Sequence, residues 1–242
     1  ARAGAMEPSM LLAGLQRTDD EGVLFQLELL EHLCSALAIA ESRDVLAVFD
    51  PSQYLPALCK ILGREVQIFP EVPGLACRAI RNFLSLDPRL ARIAVRADAV
   101  PLCVGALALD GAPGQPPSEE CASLAESAVK VLEVLCRREG RQVVQTAPCG
   151  ADGALAALSA FVGAADGHFP ADVLQSALAA ARGIVVACPA DESRADQAVP
   201  MLSRFIGDSD RPRLQHAAVQ TLASVAAVLS AARAKDPLRR LA

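Results

Sequence analysis

The chain of 242 residues contains eight cysteines and three histidines, the side chains best suited to hold a metal or to act as nucleophile and base. Their spacing supports neither use. Cys34, Cys59, Cys77, Cys103, Cys121, Cys136, Cys149 and Cys188 never form a C-x-x-C pair, and His32, His168 and His216 lie far apart. Most of the cysteines occupy apolar helical positions, as in "LEHLC" ending at Cys34 and "LEVLC" ending at Cys136, and read as thiols packed like small hydrophobes. A disulfide framework belongs to small secreted domains rather than to such a chain. The carboxylate groups Glu119–Glu120 and Asp19–Asp20–Glu21 stand at expected helix starts, where they favour the positive end of the helix dipole. Asp20 is a candidate cap there. No nucleophile elbow, H-E-x-x-H pair or glycine-rich phosphate loop is present. Catalysis in this chain, a cofactor and a metal are therefore not expected.

What remains is a set of cationic and amide side chains: Arg78, Arg81, Asn82, Lys130, Arg137, Arg182 and Gln220. Their chemistry is recognition, through charge and hydrogen bonds, of an acidic or polar protein surface. Whether they act together depends on the elements that carry them.

Those elements repeat. A short helical pattern recurs as "YLPALCKILG" at Tyr54–Gly63, "AVPLCVGALAL" at Ala99–Leu109, "GALAALSAFVG" at Gly153–Gly163 and "AVPMLSRFIG" at Ala198–Gly207. Pro56, Pro101 and Pro200 fall near three of these starts, and the first helical turn tolerates proline. A longer pattern follows each, beginning "ACRAIRNF", "AESAVKVL", "ALAAARGI" and "QHAAVQTL". It places a small residue at Ala79, Ala128, Ala180 and Ala218, and a large one four positions later at Phe83, Leu132, Ile184 and Leu222. A step of four puts both on one helix face. The small residues are separated by 49, 52 and 38 residues. A third, short helix is expected within 87–99, 139–151 and 190–198, and a short-plus-long pair opens the chain with "SMLLAGLQ" and "DEGVLFQLELLEHLCSALAIA".

Ala and Leu dominate, and alternating strand patterns are scarce. The expected fold is all-α: an armadillo/HEAT-like right-handed superhelical solenoid of about four to five helical repeats. Stacked units bury a continuous core that no single unit could bury. A non-repeating helical bundle is the competing arrangement. Loops are expected over Gly63–Gly74 and Asp110–Glu119, both rich in Gly and Pro. Residues 8–235 are expected to form one repeat domain. Residues 1–7 are expected to be a tag remnant or disordered start, so the chain reads as an excised piece.

In such a stack the last helix of each unit lines the concave face. The place of Arg81 is taken by Lys130, Arg182 and Gln220 in later units, two residues after the small one and so away from the buried stripe. Arg78, Asn82 and Arg137 lie nearby on the same helices. Two readings stay open: a mildly basic groove that binds protein, or a solvated helix face. Asn82 falls in "A-x-x-A-I-x-N", which is similar to the armadillo carriers of nuclear import cargo. There, such an Asn holds an extended peptide and recurs with a nearby Trp. Here Val131, Gly183 and Thr221 stand at the matching places and Trp is absent, which argues against an import receptor.

The formal net charge of −5 opposes nucleic-acid binding, and no apolar run is long and unbroken enough for a membrane span. A monomer inside the cell, in nucleus or cytoplasm, is expected.

The order "LLAGLQRTDDEG", "DPSQYLPALCKILG", "ACRAIRNFLSLDP", "LAESAVKVLEVLCRREG" and "AVPMLSRFIGDSD" resembles the N-terminal armadillo region of HECT-type E3 ubiquitin ligases. The subgroup is the ubiquitin-fusion-degradation class, with the thyroid-receptor-interacting and plant trichome-branching (KAKTUS) ligases. The resemblance implies a non-catalytic module that recruits substrate or ubiquitin, with the catalytic Cys in a distant HECT domain. A stand-alone scaffold or transport adaptor is the alternative.

Overall fold

The structure, a computed structural model, describes residues 7–17, 20–39, 44–64, 71–110, 115–148, 150–188, 193–207 and 210–239. Among the described residues all regular structure is helical. In chain order the helices are α1 (Pro8–Leu15), α2 (Asp20–Ile39), α3 (Asp44–Val48), α4 (Pro51–Leu62) and α5 (Glu71–Leu86). A 3-10 turn, Pro88–Leu90, leads into α6 (Ala91–Arg96), followed by α7 (Ala99–Gly105) and α8 (Glu119–Thr146). The chain continues through α9 (Gly150–Ala165), α10 (Ala171–Ala187), α11 (Ser193–Ile206) and α12 (Pro212–Arg239).

Two layers run the length of the molecule. The long helices α2, α5, α8, α10 and α12 stand side by side, each packed on the one before and the one after. Behind them α1, α4, α7, α9 and α11 pack in the same succession. The core lies between the layers and runs without a break from Leu11 to Val225. Among the described residues this is an armadillo-type solenoid of four units, two with three helices (α3–α5 and α6–α8) and two with two (α9–α10 and α11–α12), with α1 and α2 as a half unit at its start.

The small-to-large step explains the stacking. Ala79, Ala128, Ala180 and Ala218 have no exposed surface, so neighbouring helices approach closely over them. Phe83, Leu132 and Ile184 fill the layer one turn on, and Leu222 packs half-buried on the same core. Full burial of each such side chain contributes about 1.5–3 kcal/mol.

Local chemistry sets the helix ends. Asp50 caps α4 by accepting from the Ser52 amide at 3.0 Å, with Pro51 in the first turn. Ser118 caps α8 by accepting from the Cys121 amide at 3.2 Å, with Glu119 and Glu120 in the first turn. α2 begins at Asp20, whose side chain lies outside the described set, as does Asp19.

Several expectations need correction. Of Pro56, Pro101 and Pro200, only Pro101 lies in a first turn. Pro56 and Pro200 lie inside α4 and α11, because α4 already starts at Pro51 and α11 absorbs the short opening helix of its unit. An interior proline removes one backbone bond and is tolerated where the freed carbonyl can reach water; Ser52, four residues before Pro56, is exposed. The third element expected at 139–151 is the tail of α8, set off by a kink at Glu139 (φ −128°, ψ 32°) just before Gly140. The loop expected over Gly63–Gly74 is shorter, since α5 starts at Glu71 and buries Gly74; residues 65–70 lie outside the described set. The second loop is tied at its ends, where Asp110 Oδ1 accepts from the Ser118 amide at 2.9 Å. Residues 111–114, and most of the 1–7 segment, lie outside the described set.

Cys34, Cys59, Cys77, Cys103 and Cys136 are buried free thiols, while Cys121 and Cys188 are half-buried. Cys149 lies outside the described residues. Among the described residues no cluster of His, Cys, Asp and Glu is arranged to hold a metal, and no helix is long and apolar enough to cross a membrane.

Candidate protein-binding face

The long-helix layer carries every candidate binding residue. Arg78, Arg81 and Asn82 lie on α5, Lys130 and Arg137 on α8, Arg182 on α10 and Gln220 on α12. Their surroundings divide six of them into three pairs and leave Gln220 apart.

Arg81 and Lys130 belong to a charge ladder across three helices. Lys130 Nζ donates to Glu126 Oε1 at 2.9 Å and pairs with Asp172 Oδ2 on α10 at 3.0 Å. Arg81 Nη1 lies 4.0 Å from the same Glu126 oxygen. Partial burial pushes the Lys130 ammonium down, but the two carboxylates outweigh it and hold the group above its ordinary value. The hydrogen bond from Lys130 holds Asp172 below the usual carboxylate range. Each such exposed pair contributes about 0–1 kcal/mol. The ladder is charge-balanced and joins neighbouring units, so this part of the face is not a bare basic strip.

Asn82 and Arg78 bridge units. Half-buried Asn82 donates through Nδ2 to the Cys34 carbonyl on α2 at 3.2 Å. Its amide thus serves the preceding unit. Arg78 donates to Ser123 Oγ on α8 at 3.3 Å, and it borders a pocket of about 320 Å³ rimmed by Glu31, Glu71, Glu119 and Glu120. Gln220, exposed, lies 2.8 Å from His216 on its own helix.

Arg137 and Arg182 meet in one cleft between α8 and α10. Its volume is about 760 Å³. Arg138 and Arg141, just before and after the α8 kink, complete a cationic rim, which also carries Glu133 and Glu139. Ala179, Gly183, Val186 and Ala187 supply an apolar wall, with Val186 51% exposed. Two glycines set the width. A β-carbon on Gly183 would lie 2.8 Å from Cys136 Cβ, and one on Gly140 would lie 3.0 Å from Ala187 Cβ. The helices therefore touch backbone to backbone at the cleft floor.

Sequence reasoning placed the cations on one layer and missed the carboxylates between them. The spacings Glu126–Lys130 and Glu133–Arg137 are readable helical i,i+4 pairs. The reach of Asp172 to Lys130 depends on how α10 docks on α8. Arg138 and Arg141, three residues apart, also line the cleft, and sequence reasoning did not single them out.

The fold and its helix ladder define an armadillo-type repeat protein. An engineered protein of known crystal structure shares that fold, with a TM-score of 0.67 over 90% of this chain and 47% of that chain, at 18% identity. Within this class the sequence resembles the HECT-type E3 ubiquitin ligases. It is 28% identical over 227 residues to E3 ubiquitin-protein ligase Ufd4 of Drosophila melanogaster, which covers 92% of this chain and 8% of that protein. It is 32% identical over 136 residues to E3 ubiquitin-protein ligase hecd-1 of Caenorhabditis elegans, which covers 55% of this chain and 5% of that protein. The chain thus spans less than a tenth of the length of either ligase. No family profile matches it.

Proposed function

We propose that residues 8–235 form a non-catalytic recruiting module of an E3 ubiquitin ligase, which takes up substrate or ubiquitin on the face of the long helices. The observation that carries this reading is the similarity to Ufd4 along 92% of the chain, joined to a repeat stack whose long-helix face holds three arginines, Arg138, Arg141 and Arg182, without an ion-pair partner among the described residues. Repeat stacks of this kind offer extended surfaces for protein partners. The thioester chemistry of such a ligase belongs to a different region from these helices. A role in ubiquitin ligation fits the nucleus or cytoplasm as its place of action.

Calorimetric titration of the chain with mono-ubiquitin and with linked ubiquitin chains tests the reading, with Arg182→Glu as control. Saturable binding that weakens in the variant supports ubiquitin engagement. No ubiquitin binding, with capture of a defined substrate that depends on Arg182, supports substrate recruitment. Ligand binding indifferent to charge reversal at Arg78, Arg81 and Arg182 contradicts the assigned face.

A further inference from the structure

The cleft between α8 and α10 differs from the rest of the long-helix face in its charge. Along the ladder, Arg81 and Lys130 are answered by Glu126 and Asp172. In the cleft, among the described residues, Arg138, Arg141 and Arg182 make no ion pair and no side-chain hydrogen bond. Arg137 is held only loosely, 3.8 Å from Glu133. Four guanidinium groups therefore face two carboxylates. Each is a planar fork suited to a carboxylate or phosphate.

Apolar residues of α10 line the same cleft beside Arg182. Val186 is half exposed there, and Gly183 keeps the floor at backbone level. An exposed valine beside unpaired guanidinium groups matches a short segment with both apolar and anionic side chains. A long polyanion fits less well. The chain is net negative at −5, and the neighbouring face carries Glu126 and Asp172. The volume of about 760 Å³ suits a few residues of an extended peptide.

We propose that this cleft binds a short acidic peptide segment of the recruited protein, with an apolar residue against Val186 and its carboxylates on Arg138, Arg141 and Arg182. The proposal rests on the recruiting role inferred above and assigns it a place and a partner chemistry.

The test is selection of random twelve-residue peptides, displayed on phage, against the immobilised chain, followed by affinity measurement on the enriched peptides. Enrichment of Asp and Glu around an apolar residue is expected. Arg182→Glu and Arg141→Glu should each weaken those peptides about tenfold, while Arg182→Lys should retain part of the affinity. Both positions carry no structural ion pair, so far-UV circular dichroism should be unchanged; if either reversal loses helix, Arg→Gln at that site replaces it. Enriched peptides without acidic residues, or acidic ones indifferent to both reversals, overturn the proposal. So does tighter binding of a single-stranded oligonucleotide than of any peptide. Peptides or ubiquitin displaced by Arg78→Glu or Arg81→Glu, and not by the cleft variants, overturn the cleft while leaving the recruiting role intact. No enriched peptide also overturns the cleft, and the recruiting role then stands or falls on the ubiquitin titration.

Discussion

Gly183 of α10 lies directly on Cys136 of α8: a β-carbon at Gly183 would stand 2.8 Å from Cys136 Cβ and 2.9 Å from its carbonyl carbon and oxygen. The close atoms are backbone and a β-carbon, which leave little room to yield. Gly183→Ala should therefore destabilise the chain by about 1–3 kcal/mol through overpacking. Gly105, at the end of α7, has open space around it. Gly105→Ala should be neutral or slightly stabilising, because alanine is the better helix former. Urea unfolding followed by circular dichroism separates the two, and equal effects would contradict the close approach.

Lys130 joins α8 to α10 through Asp172. Lys130→Met should cost within about 1 kcal/mol, as exposed ion pairs do. Lys130→Glu should cost a few tenths of a kcal/mol more, since it faces Glu126 and Asp172 with like charge. The pH dependence follows from both shifts. Asp172 has its folded value lowered, so its contribution is present above the unfolded value and lost as pH falls through the folded one. Lys130 has its folded value raised, so its contribution is present below the unfolded value and lost as pH rises through the folded one. Carbon-detected NMR titration should show the Asp172 carboxyl returning to the ordinary range in Lys130→Met.

Tyr54 is the single tyrosine, and no tryptophan obscures it. Its hydroxyl donates to the Pro8 carbonyl at 2.6 Å, which ties α4 to α1, and burial pushes the phenol up to about 12. Absorbance at 295 nm should therefore show ionisation near 12 in the folded chain and near 10 in urea. Because the folded value is raised, this contribution is complete below the unfolded value and fades as pH rises through the folded one. A folded-state midpoint near 10 would show that the ring is not packed as described.

Burial lifts the thiols of Cys34 to about 11 and of Cys59 and Cys136 to about 12. A hydrogen bond with Cys77, together with burial, raises Cys103 as well. At pH 8 the thiolate is then scarce and out of reach. Alkylation of the native chain, mapped by mass spectrometry, should mark Cys121 and Cys188 first. The five buried thiols should react only when urea opens the stack. Early labelling of Cys136 would show that α8 and α10 separate readily.

The solenoid was legible because its signal repeats. The alanine at 79, 128, 180 and 218 and the large residue four places on are the stripe that the long helices bury, and all four alanines have no exposed surface. The echo of "LEHLC" in "LEVLC" also has a structural basis. Cys34 and Cys136 each present their carbonyl group to the next unit, where Asn82 donates to the first and Gly183 lies against the second. Sequence alone gave Asn82 a peptide-holding look, but its partner is 48 positions away along the chain. The charge state of the face was hidden for the same reason. Lys130 and Arg182 read alike in the alignment, yet docking sets Asp172 against Lys130 and leaves Arg182 without a partner among the described residues. Pro56 and Pro200 misled because their helices begin earlier than the repeated motif does.

Hydrogen exchange of the chain, alone and saturated with the tightest binder among ubiquitin, linked ubiquitin chains and the selected acidic peptides, tests the central claim most directly. Added protection should fall on the exposed turns of α8 and α10 around Arg137 and Arg182, with α4, α7 and α9 unchanged. Protection confined to α4, α7 and α9 would contradict the assignment of the long-helix layer as the recruiting face.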